Sequence, residues 1–249
     1  MSLKFQMIIF RKISTFLSVI LLILYSIPSA SANQCGPYFD NFTSPICTDA
    51  KYIFWTGSAI TLGMYALKDS FVKEIQDRTV QKNHLKNWGV VGGDIGFGYL
   101  NGAYFLFNML RGQRGQEKAE HMLEASIYTL GTTQALKYGI HESRPGFPQD
   151  PDSFPSGHAS FSFAFASVVT AQDGWAWGSL AYLMASFISF SRMDENWHYL
   201  HDVVFGATLG ASYGWGIYLN HQEHNKPYWL SLVPSVSKGH YAVNVVYSF

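Results

Sequence analysis

Apolar and polar positions in this chain alternate in long blocks. Six segments carry apolar residues at helical spacing, and short polar breaks separate them. The pattern predicts helices at about 52–67, 89–110, 118–141, 158–172, 174–190 and 200–219. Gly, Ala, Ser and Thr recur inside these segments, as in "GATLGASYGWG", and small side chains let helices approach closely. The period changes near the C-terminus. In "YAVNVVYSF", Tyr241, Val243, Val245, Tyr247 and Phe249 fall on one face of a strand. "WLSLVPSV" precedes it with Ser237-Lys238-Gly239 between, which predicts a hairpin. The expected fold class is all-α: a six-helix core bundle over 52–225 with a small C-terminal β-hairpin over 226–249.

The N-terminus has a different pattern. "MSLKFQMIIFRKISTF" carries Lys4, Arg11 and Lys12, and the apolar run "LSVILLILYSIPSASA" ends at Ala30-Ser31-Ala32. A basic start, a short apolar stretch and an Ala-x-Ala end predict a secretory signal peptide over 1–32, with Asn33 as the mature start. An uncleaved membrane anchor is the competing reading. Cys35 and Cys47 follow in an N-terminal loop over 33–51. Two thiols this close in an exported chain predict a Cys35–Cys47 disulfide. If the source is bacterial, export means the periplasm.

Composition narrows the partners. Lys+Arg and Asp+Glu both number 17, so the formal net charge is zero and there is no basic excess for nucleic acid. Charged residues make up 14% of the 249 residues, against about 25% in an ordinary soluble domain. Either the core is large or part of the chain meets lipid. A membrane span needs about 20 mostly apolar residues. The 118–141 segment opens with Lys118, Glu120, His121 and Glu124, and the 89–110 segment carries Asp94. The turn at Asp173-Gly174 has no Lys or Arg, unlike a cytoplasmic loop. A buried helical core that can contact a membrane surface is therefore preferred to a six-span protein.

Three clusters carry the chemistry. In "KYGIHESRPG", Lys137 and Arg144 are about two helical turns apart, and Pro145 ends the helix. Two cations on one face repel unless an anion sits between them. In "FPSGHASF", Ser156, Gly157 and His158 open a helix, where backbone N–H groups and the dipole favour an anion. In "SRMDENWHYLHD", Arg192 adds a third cation, and His198 and Asp202 have the spacing of one helical face. A carboxylate there can hold one ring nitrogen of the histidine and leave the other free to attack. Asp194, Glu195 and the histidines His121, His141 and His201 read as loop, structural or rim residues.

Lys-x6-Arg-Pro, then Pro-Ser-Gly-His, then Ser-Arg-x5-His-x3-Asp resembles the type 2 phosphatidic acid phosphatase (PAP2) superfamily, which includes bacterial class A acid phosphatases and vanadium haloperoxidases. The resemblance covers about 137–202 and implies a PAP2-type helical core. It implies that Lys137, Arg144 and Arg192 hold the phosphoryl oxygens, with hydrogen bonds from Ser156 and the Gly157 amide. His198 is then the nucleophile, Asp202 its orienting carboxylate and His158 the acid and base. No metal and no cofactor are expected. The implied activity is hydrolysis of a phosphate monoester or diphosphate, with a lipid phosphate preferred as substrate. A nonspecific soluble acid phosphatase, a vanadate-dependent haloperoxidase and a non-catalytic anion-binding protein remain alternatives.

Overall fold

The computed structural model describes residues 40–96, 98–224, 230–237 and 240–247. The 1–32 segment and Cys35 lie outside the described residues, while Cys47 is disulfide-bonded. The chain is built mainly of helices: α1 Asp40–Cys47, α2 Lys51–Ala66, a π-helical turn Lys68–Val72, α3 Lys73–Lys82, α4 Trp88–Gly96, α5 Tyr99–Met109, α6 Gly112–Ile140, α7 Gly157–Asp173, α8 Trp175–Asp194 and α9 Leu200–His224. Strands β1 Leu230–Ser237 and β2 His240–Tyr247 pair antiparallel, with Leu230 opposite Tyr247 and Ser237 opposite His240.

The differences from the hydrophobic pattern have physical reasons. The expected 89–110 helix is two helices, because Gly98 takes a left-handed conformation at φ 86° and starts a new one. Helix α6 begins earlier than expected, since its polar first turns are helix-compatible and largely exposed. Helix α3 was not expected. Its sequence, KEIQDRTVQK, is too polar to show a stripe, yet it buries Gln76 and Thr79. Among the described residues no helix is long and apolar enough to cross a membrane.

The core lies where α6, α7, α8 and α9 meet. Met122 and Ala125 of α6, Val168 and Val169 of α7, Ala181 and Ala185 of α8, and Leu209, Tyr213 and Ile217 of α9 form one buried cluster. The closest packing is α9 on α7. A Cβ on Gly210 would stand 2.0 Å from the Ser160 carbonyl oxygen, and one on Gly206 would stand 2.5 Å from that of Ser156. Real Cβ atoms do not come that close, so these glycines set the helix separation. The close approach brings the first turn of α9 against the start of α7, and Ser156 N–H donates to the Asp202 carbonyl at 3.0 Å. Two of the three chemical clusters meet there.

Candidate functional site

His198 and Asp202 were expected on one helical face. Helix α9 starts at Leu200, so His198 stands on the loop just before it and Asp202 lies in the first turn. The pair still meets, with His198 Nδ1 3.7 Å from Asp202 Oδ2 and both side chains buried. That separation is longer than a hydrogen bond. Asp202 Oδ2 accepts from Ser153 Oγ at 2.6 Å and from Tyr199 N–H at 2.8 Å. The second bond caps the start of α9, as acidic residues in a first turn commonly do. Asp202 is held below the ordinary carboxylate range: burial pushes it up, but His198, His201 and Ser153 outweigh burial.

The other ring nitrogen faces an arginine. Arg144 Nη1 lies 3.1 Å from His198 Nε2. A guanidinium only donates, so Nε2 must offer a lone pair, and the ring proton belongs on Nδ1, facing Asp202. Burial lowers the His198 pKa, Asp202 opposes this, and Lys137 and Arg144 add to the lowering. Arg144 itself is set by Asp150, which accepts from its Nε at 2.7 Å, and by the Trp197 ring, whose centroid is 5.2 Å from the guanidinium carbon.

Lys137 and Arg144 do not share a helix face. Helix α6 ends at Ile140, His141 turns left-handed at φ 53°, and Arg144 sits on the loop beyond. The two cations converge nonetheless. The Lys137 pKa falls to about 8, through burial and then the charge of Arg144. Lys137 Nζ donates to the Asp152 carbonyl.

Ser156 caps α7 and is fully buried, with its Oγ accepting from Ala159 N–H at 3.5 Å. A Cβ on Gly157 would meet only Thr133 Cγ2, at 3.9 Å, so this glycine leaves open space at the helix start. The His158 pKa is pushed down to about 4 by burial and then by Arg192, His198 and Arg144. That electrostatic coupling places the three clusters in one site.

Arg192 is buried at the end of α8. Its Nη2 donates to the Gly89 carbonyl at 2.8 Å and to Glu195 Oε2 at 2.6 Å, and its Nε donates to Ser191 Oγ at 3.2 Å. Nη1 makes no hydrogen bond among the described residues. A cavity of about 430 Å³ opens here, lined by His158, Arg192, Asp94, Glu195, Tyr99 and Trp197 among others. Glu195 is thus an ion-pair partner rather than a solvated loop acid. Asp194 is buried and accepts from the His84 and Leu85 N–H groups, both at 2.9 Å. His121 is fully buried between Gly214 and Gln172, and burial brings its pKa to about 3.

Sequence reasoning placed α4 inside the expected 89–110 helix but gave it no part in the site. Its glycines face α8: a Cβ on Gly92 would meet Ser191 Oγ at 2.4 Å, and one on Gly93 would meet Arg192 Nη2 at 2.3 Å. The repeat Gly89, Gly92, Gly93, Gly96 in "GVVGGDIG" was the available signal. We expect Gly93→Ala to move the guanidinium, the flexible end of a side chain, and to lower kcat about 10-fold, the cost of one weakened charge-assisted contact. Its thermal midpoint should stay within a few degrees. Steady-state kinetics with a thermal melt checks this, and a fully active variant contradicts the placement of Arg192. Ser153 and Asp150, which hold Asp202 and Arg144, carried no motif signal.

A second cavity of about 650 Å³ lies between α5 and α8, lined by Leu100, Phe107, Phe165, Trp177 and Met184 among others. Its surroundings are apolar and open: Leu106, Phe107, Leu110, Trp175, Trp177, Leu180 and Leu183 are all more than half exposed. Isolated exposed apolar residues are ordinary, but a contiguous set marks a contact surface. Among the described residues, one group could offer three metal ligands, Glu142, His201 and Asp202. The Lys68 ammonium already pairs with Glu142 there.

Residues 121–226 match the PAP2 superfamily. A lipid A 1-phosphatase of Porphyromonas gingivalis is 37% identical over 87 residues, which is 34% of this chain and 19% of that protein. The chain therefore matches about a fifth of that relative's length. The crystal structure of Aquifex aeolicus LpxE superposes with a TM-score of 0.55 at 23% identity, over 60% of this chain and 95% of the other. That likeness concerns the fold.

Proposed function

We propose, from the match of residues 121–226 to the PAP2 superfamily, that the chain is an exported, metal-independent phosphatase that cleaves a lipid phosphate monoester or diphosphate through a phosphohistidine. In this reading 1–32 is a signal peptide, 33–51 an N-terminal segment that contains α1 rather than the expected loop and is tied by Cys35–Cys47, 52–225 a catalytic unit with a six-helix core, and 226–249 a hairpin extension. The observation that carries the reading is the contact of Arg144 with His198 Nε2, with Asp202 behind Nδ1. It supports a histidine whose lone pair points where a phosphoryl group would be gripped.

The steps balance. Arg144 turns from Nε2 to the incoming phosphoryl oxygens, joined by Lys137, Arg192 Nη1 and the Gly157 amide, while Ser156 keeps the helix start in place. His198 Nε2 attacks phosphorus in line, and a P–N bond forms as the P–O bond to the leaving group breaks. His158 gives its proton to the leaving oxygen. Water then attacks phosphorus, His158 takes its proton, the P–N bond breaks and inorganic phosphate leaves. In the free site His158 is neutral at pH 7, because burial, Arg192 and Arg144 disfavour its charge. A bound phosphate dianion offsets both arginines and raises the pKa toward a working acid.

The apolar groove between α5 and α8 supports a lipid substrate and contact with a membrane surface, and the lipid A phosphatase relative supports the same reading. The test is a panel assay of the purified full chain in EDTA, using phosphatidate, lipid A and a polyprenyl diphosphate in micelles beside p-nitrophenyl phosphate. Three cations around one anion should make turnover indifferent to EDTA, within about two-fold, with the lipids preferred. Activity lost in EDTA and restored by a divalent ion contradicts metal independence. A preference for the soluble ester contradicts the lipid assignment.

A further inference from the structure

The proposed chemistry accounts for only one oxygen of Asp202. Oδ2 meets Ser153, Tyr199 N–H and the His198 ring. Oδ1 is buried without an aligned donor, yet His201 Nε2 lies 3.1 Å from it. The same nitrogen lies 2.9 and 3.1 Å from the two oxygens of Glu142. A nitrogen wedged between two carboxylates must carry a hydrogen, and it has one to give. Glu142 receives it, since the contact to Asp202 lies off the hydrogen-bond direction. Lys68 pairs with Oε1 of Glu142, one of the two oxygens that His201 meets. The His201 ring is wholly buried, stacked on Tyr199 at 5.4 Å and on Phe154 at 6.2 Å, with the edge of Tyr65 at 5.5 Å.

We propose that His201, seated by Glu142, is a positioning residue: its Nε2–H edge holds Asp202 as a charged carboxylate in one rotamer, and Asp202 in turn keeps the His198 proton on Nδ1. Without that edge, Asp202 Oδ1, which has no aligned donor, also loses the partly positive N–H group 3.1 Å away, and the carboxylate can escape the added cost by rotating or by taking a proton. Either escape releases Nδ1 of His198 and lets the proton move to Nε2, where it blocks attack. The inference rests on the phosphohistidine reading for its effect on turnover, but its effect on the tautomer does not depend on any substrate.

The experiment uses full-length protein labelled with 15N-histidine: wild type, His201→Gln, His201→Leu and Glu142→Gln, with His198→Ala to assign the signal. In wild type the His198 signal should be that of a single Nδ1–H tautomer. His201→Leu and Glu142→Gln should give mixed tautomers and a kcat lower by about 10- to 100-fold at little-changed KM, the range for losing an orienting partner of a reactive histidine. His201→Gln, whose amide N–H reaches the same place, should recover most of both. An unchanged tautomer in Glu142→Gln, with kcat within two-fold of wild type, overturns the proposal even if His201→Leu fails to fold. If wild type turns over no phosphate ester, the phosphatase reading fails, and the tautomer comparison alone decides whether His201 positions His198.

Discussion

His198→Ala is expected to leave no measurable turnover, a loss of about 10⁴-fold or more, as when a covalent nucleophile is removed. The reason is geometric. Among the described residues His198 is the group whose unprotonated nitrogen is met by an arginine on one side while a buried carboxylate backs the opposite nitrogen. His158 is also a histidine in the site, but after burial the charges that shift it are those of Arg192, His198 and Arg144, which disfavour its protonated form. Substrate binding should survive in the variant, since Lys137, Arg144 and Arg192 remain. Equilibrium binding of a slow substrate and single-turnover rates separate the two effects. Near-wild-type kcat in a folded His198→Ala protein contradicts the mechanism.

Arg192→Ala is expected to lower kcat about 100-fold and to weaken vanadate inhibition with it, the range for removing one preorganised donor from a transition-state site. Vanadate adopts the five-coordinate shape of phosphorus under in-line attack, so a site built for that shape binds it better than phosphate. Arg192 holds the Gly89 carbonyl and Glu195 with Nη2, and in the proposed mechanism Nη1 meets the anion. Its removal loses one donor and also leaves Glu195 as an unpaired negative charge lining the cavity. Arg192→Lys should recover only part, because one ammonium cannot reproduce a fork that serves protein and ligand together. Paired vanadate titrations of wild type and Arg192→Ala, with folding checked by circular dichroism, read this directly. Equal inhibition constants would show that Arg192 does not face the transferred group.

The sequence was most informative where chemistry restricts residue type. Lysine, arginine, glycine and histidine at set spacings were expected to mark an anion site, and the structure brings Arg144 to His198 and Ser156 to Asp202. Such spacings could therefore be read even though two local assumptions about them differ from the structure. Arg144 lies past the end of α6 and His198 lies before the start of α9, so neither pair shares a helix. The long periodic segments were legible because their small residues recur, and Gly206 and Gly210 of α9 do set the approach to α7. What escaped notice depends on contacts between distant parts of the chain. Ser153 reaches Asp202 across 49 positions, Glu142 reaches His201 across 59, and the Gly89 carbonyl reaches Arg192 across 103. No local pattern encodes a partner at that distance. Glu195 looked like a solvated acid because its neighbours in sequence are polar, whereas its neighbours in space are Arg192 and the glycine face of α4.

The central claim is a covalent bond between phosphorus and His198 Nε2, and rapid-quench trapping tests it most directly. Purified full chain is mixed with a 32P-labelled lipid phosphate, stopped in alkali within milliseconds and digested. The account predicts label on the peptide containing His198, stable to alkali and lost in acid, absent in His198→Ala and accumulating in a variant whose water-activating His158 is replaced. Turnover with no labelled protein in wild type and in the His158 variant, or label on a serine or aspartate instead, would contradict it.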